Sequence, residues 1–498
     1  MCAGLRGVFA YSLASLKSES GYVSVALLVQ QVSGFTTVLL LARILGASDY
    51  GSLALIKSIV VVSVTFGPLG LNIGLLKTLT LFDQAPALRA YYFQSFRAFV
   101  FLCNSVAPVA IFALAYFGHF LPRQSNGILI AFSIALVSLP FAADISLFGA
   151  YYRVTDRVQL FAKTSLIWQS LLTATTAVIA VIVFHNLIAV TVASTVSVIA
   201  IFSIFALRFH WESSSSRLTT SDQKLERTDF YRTIRESMWM ACSTFAYVLL
   251  RNLDLIMLGR IVSPLQLGSY SLLSTVAYVI FVVPLALSQS LGPAVARSYA
   301  NFDEVQFRAI YRSYFENACV ISSFLATGIA IYGDRLGLVL GASYQISPMV
   351  AAPLAFGQLV SAVLGPTGFA LSMTGHHKQE FALLFTATFL MAVSLYVVLP
   401  SFGLEGAAFA SLFIYSCANV IRYVLVKHYT GIWVARWIDV YYPLVGIGLA
   451  LTCRYFSRSL GDGLGASVVG CLAYTILFVG AIFFRAKLIS PTPKLSSN

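Results

Sequence analysis

The sequence predicts an all-α integral membrane protein with about fourteen transmembrane helices, built from two six-helix bundles in a parallel repeat plus two further helices at the C-terminus. Of its 498 residues, 58% are hydrophobic and 10% are charged, whereas soluble domains carry about 25% charged residues. The apolar residues are grouped into stretches of membrane-spanning length, and one short segment occurs twice. These three observations predict the fold class.

The individual spans follow from the length that a helix needs to cross a bilayer, about 20 predominantly apolar residues. The sequence contains fourteen such stretches, at 21–44, 51–76, 93–117, 126–149, 160–184, 187–208, 237–259, 266–290, 310–332, 346–372, 379–401, 404–426, 438–456 and 463–485.

The basic residues predict the orientation of these helices. The net charge is +13, but the basic residues lie in small clusters between apolar stretches, which argues against a nucleic-acid-binding surface. With a cytoplasmic N-terminus, twenty-four Lys and Arg residues fall in inner positions and six in outer ones. Inner loops of membrane proteins carry this excess, so we expect a multi-pass protein of the cytoplasmic membrane with both termini in the cytoplasm.

The longest polar stretch suggests how the chain is divided. It is rich in serine and charged residues and lies between the sixth and seventh predicted spans, at 208–236. A solvated linker of this kind would join two bundles. We therefore predict an N-terminal bundle at 1–207, a cytoplasmic linker at 208–236, a C-terminal bundle at 237–430, and two extra helices with a tail at 431–498.

Each copy of the repeated segment lies at the junction between two consecutive predicted spans. Its copies read Leu41-Ala-Arg43-Ile-Leu-Gly-Ala-Ser-Asp-Tyr-Gly51 and Leu258-Gly-Arg260-Ile-Val-Ser-Pro-Leu-Gln-Leu-Gly268, and they align without a gap at an offset of 217 residues. Similarity within a chain indicates a duplicated architecture, which is the usual construction of secondary transporters. An even number of spans between the copies gives both halves the same orientation.

Charged residues inside predicted spans are the candidate binding residues, because each costs about 2.5–3.5 kcal/mol at a helix centre on insertion scales. Lys57, Asp144, Arg251 and Asp254 are the candidates. Arg251 and Asp254 are three residues apart on one helix face and could simply neutralise each other. In the functional interpretation, Lys57 and Arg251 instead face a water-filled cavity and attract an anion.

Residues that break helices occur at corresponding places in the two halves. Gly67 and Pro68 interrupt the second span, and Pro284 is expected to interrupt its repeat partner at nearly the same depth. Paired interruptions in the two halves of a transporter indicate an element that lines a cavity and moves.

Motifs for enzymatic chemistry are absent from the sequence. It has no glycine-rich nucleotide-binding motif with its lysine, no GxSxG and no HExxH, so we expect no enzyme and no cofactor. The seven cysteines form no CxxC pair, which argues against a zinc site or a disulfide framework. His376 and His377 stand beside Lys378, and a solvated inner loop is the simpler interpretation than a metal site.

Four short segments of the chain carry a resemblance to a known family: Leu41-Ala-Arg43-Ile-Leu-Gly46 with Tyr50-Gly51, Asp254-Leu-Ile-Met-Leu-Gly259 with Gly268-Ser-Tyr270, Leu371-Ser-Met-Thr-Gly375 with Lys378, and Phe402-Gly403-Leu-Glu405-Gly406-Ala407-Ala408. In these segments the chain resembles the polysaccharide-transporter branch of the multidrug/oligosaccharidyl-lipid/polysaccharide exporter superfamily, the O-antigen or exopolysaccharide-unit flippases. In the second copy of the repeat, Ser263 stands where the family frequently has glycine.

The resemblance implies both an architecture and a substrate. It implies two bundles that enclose a V-shaped cavity, and an oligosaccharide on a polyprenyl diphosphate that moves from the inner to the outer leaflet. Membrane lipid and glycan polymerase or export proteins are the implied partners, and no nucleic acid is expected. A cavity with basic residues would lower the cost of bringing the diphosphate to mid-membrane.

Four other functions are the alternatives. A cation-coupled multidrug antiporter of the same superfamily would need acidic cavity residues, and a lipid II flippase would need the same chemistry as the favoured function. A non-transporting membrane scaffold is disfavoured by the broken helices and the charges within spans. A major-facilitator carrier is disfavoured because 77–89 lacks that family's loop signature.

Overall fold

The computed structural model describes residues 19–489, apart from 81, 83–84, 119, 121–125, 216–226, 301–303, 342, 365–366, 368–370, 372–375, 431–436, 460 and 462. Within these residues the regular secondary structure is helical, as the sequence predicts. The N-terminal helices are α1 (Glu19–Phe66), α2 (Leu71–Thr80), α3 (Pro86–Phe117), α4 (Asn126–Val137), α5 (Leu139–Val154), α6 (Val158–Phe161), a π-helical turn (Ala162–Trp168), α7 (Gln169–Phe184) and α8 (Leu187–Ser215).

The remaining helices follow after the stretch at 216–226. They are α9 (Arg227–Ile261), α10 (Pro264–Ala300), α11 (Glu304–Tyr332), a 3₁₀ turn (Gly333–Arg335), α12 (Leu336–Leu340), α13 (Pro348–Leu364), α14 (His377–Thr430), a second 3₁₀ turn (Trp437–Val440), α15 (Tyr441–Ser459) and α16 (Leu464–Ile489).

In the described part of the chain, ten helical segments are long and apolar enough to cross a membrane. Two of them are each broken by a glycine with non-helical backbone angles, Gly46 in α1 and Gly403 in α14, and each covers two predicted spans. The shorter helices α13 and α15 coincide with two further predicted spans. The number fourteen itself stays a prediction.

The structure adds detail to the predicted linker and does not show one predicted helix break. The predicted linker at 208–236 is helical at both ends, because α8 continues to Ser215 and α9 begins at Arg227; its centre, 216–226, lies outside the described residues, as do both termini. Pro284 does not interrupt its helix, since α10 runs continuously from Pro264 to Ala300.

Contacts divide the chain into two compact units whose boundaries differ from the predicted linear ones. The N-terminal unit comprises Ala26–Leu272 and His376–Ala410, and the C-terminal unit comprises the described residues of Met1–Val25, Leu273–Gly375 and Ser411–Asn498. A dense aromatic cluster from α3, α5 and α8 forms a core of the N-terminal unit; it includes Phe93, Phe148, Tyr152, Phe205 and Phe209.

In the C-terminal unit, α11 and α15 run side by side in the same direction. Near the start of both helices, Arg312 donates two hydrogen bonds to Asp439, at 2.7 and 2.9 Å. At their other ends, Arg454 donates to Asp334 at 2.6 and 3.0 Å. The predicted order of spans requires this parallel direction, and the two ion pairs attach α15 and the turn before it to α11 and the turn after it.

Candidate functional site

The two copies of the repeated segment break their helices at equivalent positions, by different local means. Gly46 has φ +76°, a left-handed conformation that glycine adopts without steric cost. In the second copy, α9 ends at Ile261 and α10 begins at Pro264. There Ser263 and Gln266 exchange hydrogen bonds of 3.3 and 3.4 Å between side chains and backbone amides, which is a capping box. The serine thus preserves the break without a glycine.

The two copies also meet each other inside the N-terminal unit. A Cβ added at Gly51 would overlap the carbonyl oxygen of Pro264 and lie 2.6 Å from the backbone nitrogen of Gly268. A Cβ added at Gly268 would overlap the carbonyl oxygen of Ala47. Both glycines are therefore required for the close approach of α1 and α10, as small residues are at other packed transmembrane helices.

The repeated arginines do not take part in this contact. Arg43 and Arg260 are both exposed, and among the described residues neither makes a hydrogen bond or an ion pair. Their place before the helix break is the same in each copy, so the duplication extends to the exposed surface.

Lys57 lies on the segment 51–66 of α1, which packs antiparallel to α9. A Cβ at Gly259 would lie 2.7 Å from Leu55, and the rings of Phe66 and Phe245 meet edge to face at 5.2 Å. Lys57 is exposed although its neighbours Ile56 and Ser58 are buried. It makes no hydrogen bond or ion pair with any described residue.

Arg251 lies on α9, near the level of Lys57, and is half-buried. The contacts of Leu55 with Gly259 and of Phe66 with Phe245 fix the register of the two helices. With a rise of 1.5 Å per residue, Lys57 and Arg251 are roughly 5–9 Å apart along the helix axis. The structure therefore brings the two predicted basic residues to similar depths on neighbouring helices.

Asp254 is 3% exposed and is held by a residue that the sequence-based argument did not consider. The hydroxyl of Tyr270 donates a 2.6 Å hydrogen bond to Asp254 Oδ2, and the amide of Leu255 donates to Oδ1 at 2.8 Å. Tyr270 is itself 1% exposed. This carboxylate ties α9 to α10 and lies buried between them.

Asp144 is also buried, with 1% of its surface exposed, in an ion pair with Arg97. Two guanidinium nitrogens of Arg97 donate to the two carboxylate oxygens at 2.9 and 2.6 Å, the bidentate geometry that makes such pairs strong. The guanidinium also lies 4.3 Å from the ring centre of Phe148, within the range of a cation–π contact. The structure thus gives Asp144 a role in joining α3 to α5.

The predicted break at Gly67 and Pro68 is present. Helix α1 ends at Phe66, a turn covers 67–70, and α2 begins at Leu71. Because α10 continues through Pro284, the break occurs in the first half only, and a gating role for Pro284 stays a prediction.

Three residues around these sites were missed at the level of sequence: Arg97, Tyr270 and Asn104. Arg97 carries a signal that could have found it, because it lies inside the predicted span 93–117 and a cation within a span needs a partner. Asn104, which is 4% exposed, donates hydrogen bonds next to the helix break. A neutral Tyr or Asn in an apolar helix carries no comparable sequence signal.

Comparison with known proteins gives a family and a fold. The sequence profile of a family described as "Polysaccharide biosynthesis protein" matches residues 16–298, which is more than half of the chain. No curated protein sequence matches the chain.

Solved structures with low sequence identity share the fold. The lipid II flippase MurJ, in an inward closed conformation, superposes with a TM-score of 0.69 at 14% identity, covering 94% of this chain and 99% of MurJ. A MATE transporter of Vibrio cholerae gives a TM-score of 0.60 at 13% identity, over 84% and 98% of the two chains. An inward-facing multidrug resistance transporter of the MATE family gives 0.62 at 13% identity, over 81% and 94%.

Proposed function

Because the chain belongs to the polysaccharide biosynthesis protein family, we propose that it moves a polyprenyl-diphosphate-linked oligosaccharide across the cytoplasmic membrane by alternating access. The substrate would pass from the inner to the outer leaflet, and both termini would lie in the cytoplasm. Glycan polymerase and export proteins are the partners that such a product requires.

The observation that carries this proposal is that Lys57 is exposed and has no ion partner among the described residues. This lysine stands in a helix that is otherwise apolar enough to span the membrane. An unbalanced charge at that depth is expensive and marks a substrate or ion path. Lys57 and Arg251, at similar depths, supply the positive charge that a diphosphate would need there.

The acidic residues support the choice of an anionic substrate. Asp144 is paired with Arg97, and Asp254 accepts a hydrogen bond from Tyr270. A buried carboxylate that is already paired or hydrogen-bonded is poorly placed to attract a cationic drug, which weighs against the multidrug antiporter. A lipid II flippase would need the same basic residues. The two flippase functions are distinguished by identifying which glycan is no longer exported when these residues are substituted.

Substitutions of Lys57 test the proposal through export of the lipid-linked glycan at matched expression. Lys57→Arg should retain partial export, because a point charge suffices for phosphate although the planar guanidinium fits less well. Lys57→Gln should lose most of the export, and Lys57→Glu should lose all of it.

Lys163 provides the matched control. It is also exposed and makes no hydrogen bond or ion pair with the described residues, but it lies at the predicted inner end of the span 160–184 and not deep within it, so Lys163→Gln should leave export near normal. Near-normal export by Lys57→Gln would contradict an anion-binding role, since a lysine that only extends toward the headgroups can be replaced without loss.

A further inference from the structure

The break between α1 and α2 leaves the backbone carbonyl of Gly67 without its helical partner. In a continuous helix, the amide of Leu71 would donate to the carbonyl oxygen of Gly67; here it donates to Pro68 at 2.9 Å. An unsatisfied buried carbonyl is strongly unfavourable. The oxygen of Gly67 instead accepts a 2.8 Å hydrogen bond from Asn104 Nδ2 of α3.

Asn104 is positioned with little freedom. It is 4% exposed, and its amide nitrogen also donates to Val100 in the preceding turn of α3 at 2.8 Å. A Cβ added at Gly67 would lie 2.6 Å from Asn104 Oδ1. The side chain is therefore fixed on its own helix and pressed against the glycine whose carbonyl it binds.

The turn itself is strained. Leu69 has φ +55°, and Gly70 has φ +72°. A leucine is rarely found in the left-handed region, and such strain persists only where the surroundings impose it. On the far side of the turn, a Cβ at Gly70 would overlap the carbonyl oxygen of Ser237 on α9, so α3 and α9 hold the turn from two directions.

We propose that the turn at Gly67–Gly70 is a hinge for the Lys57-bearing segment 51–66, and that Asn104 is the positioning residue that latches this hinge in the bent state. A strained leucine favours release of the turn, and the hydrogen bond from Asn104 opposes release. The proposal deepens the proposed function and rests on it for its biological meaning, since the latch then sets when the diphosphate-binding lysine is presented to either side of the membrane.

The test measures the accessibility of position 57 in the full chain, without any glycan substrate. Lys57→Cys is labelled from the outer side with a membrane-impermeant maleimide, and the labelled peptide is quantified by mass spectrometry, so that the native cysteines can remain. The contact of Gly51 with Gly268 lies at the end of this segment that we predict to be outer. Adding Asn104→Ala should raise the labelling rate about fivefold, as expected for loss of one hydrogen bond.

Two further variants make the result specific. Asn252→Ala is the matched control, because Asn252 is half-buried in α9 and, among the described residues, its amide donates to Val248 of its own helix alone, at 2.8 Å; it should leave labelling unchanged. Leu69→Gly removes the strain of the bent turn, and it should lower labelling by itself and partly reverse the effect of Asn104→Ala.

The outcomes separate this proposal from the proposed function. Unchanged labelling in Asn104→Ala, in protein with normal thermal stability, would overturn the latch. If Asn104→Ala does not fold, the labelling rate in Leu69→Gly tests the hinge instead. An unchanged or faster rate in that variant would overturn the hinge. In the last outcome, the labelling rates of the Asn104, Leu69 and Asn252 variants follow the expected order while the Lys57 variants export normally. This result would support the hinge and contradict an anion-binding role for Lys57.

Discussion

Gly51 and Gly268 occupy the same position in the two copies of the repeated segment and pack against each other in a reciprocal way. Gly51 faces Pro264, and Gly268 faces Ala47, which are again equivalent residues at the same offset of 217. The glycine of each copy therefore contacts the same position in the other copy. Such a reciprocal contact is the signature of a two-fold axis. The duplication inferred from sequence is therefore also a symmetric contact between α1 and α10.

The first prediction concerns this contact. Gly51→Ala should lower the stability of the folded protein by about 1–3 kcal/mol, the usual effect of overpacking, because the new methyl group meets backbone that cannot rotate away. Thermal unfolding in detergent measures the effect. Gly34→Ala is the control: a Cβ at this helical glycine meets nothing within 4 Å, and alanine has the higher helix propensity, so stability should be unchanged or higher.

The second prediction concerns the buried ion pair. Asp144→Leu and Arg97→Met should each destabilise the protein by about 3–5 kcal/mol, because each leaves an uncompensated partner in the aromatic core. The double variant Arg97→Met with Asp144→Leu should recover much of that stability. By contrast, Arg232→Ala breaks an exposed pair with Glu236 and should change stability by no more than about 0.5 kcal/mol. Fully additive effects in the double variant would contradict the pairing.

The third prediction separates binding from folding at Arg251. Arg251→Ala should abolish glycan export while the protein still reaches the membrane, because the charge serves the substrate. Arg458→Ala, which changes an exposed arginine near the end of α15, should be nearly silent. Export and membrane content are measured in the same cells. Disappearance of Arg251→Ala from the membrane would assign the arginine a structural role, and normal export would remove it from the anion site.

The fourth prediction concerns orientation. Reporter fusions after Lys17, Glu226 and Lys494 should all give cytoplasmic activity, because twenty-four of the Lys and Arg residues fall in the predicted inner set and six in the outer one. A fusion after Gly461, between α15 and α16, should report from the opposite side. A periplasmic signal from the fusion after Glu226 would show that the predicted order of spans before it is wrong.

Much of the fold could be predicted from the sequence because a bilayer restricts the choices. Only helices satisfy their backbone hydrogen bonds within one segment in lipid, so apolar stretches of sufficient length predict helices, and Gly67 with Pro68 predicts a break. The same reasoning was wrong for Pro284, which the sequence marks as a breaker but which α10 accommodates without interruption. Proline removes one hydrogen bond, and neighbouring helices can compensate in a membrane.

The sequence by itself determined which charges lie in apolar helices, and the tertiary structure decided what each charge does. Asp144 and Lys57 look alike in sequence, as lone charges in predicted spans, yet Asp144 is neutralised by Arg97 from another helix and Lys57 is left exposed. The partner of a buried charge is chosen by packing between segments that are distant in the chain. Likewise, the repeat was visible in the sequence, but only the folded chain brings Gly51 against Gly268, because backbone contact depends on how two helices approach and not on their composition.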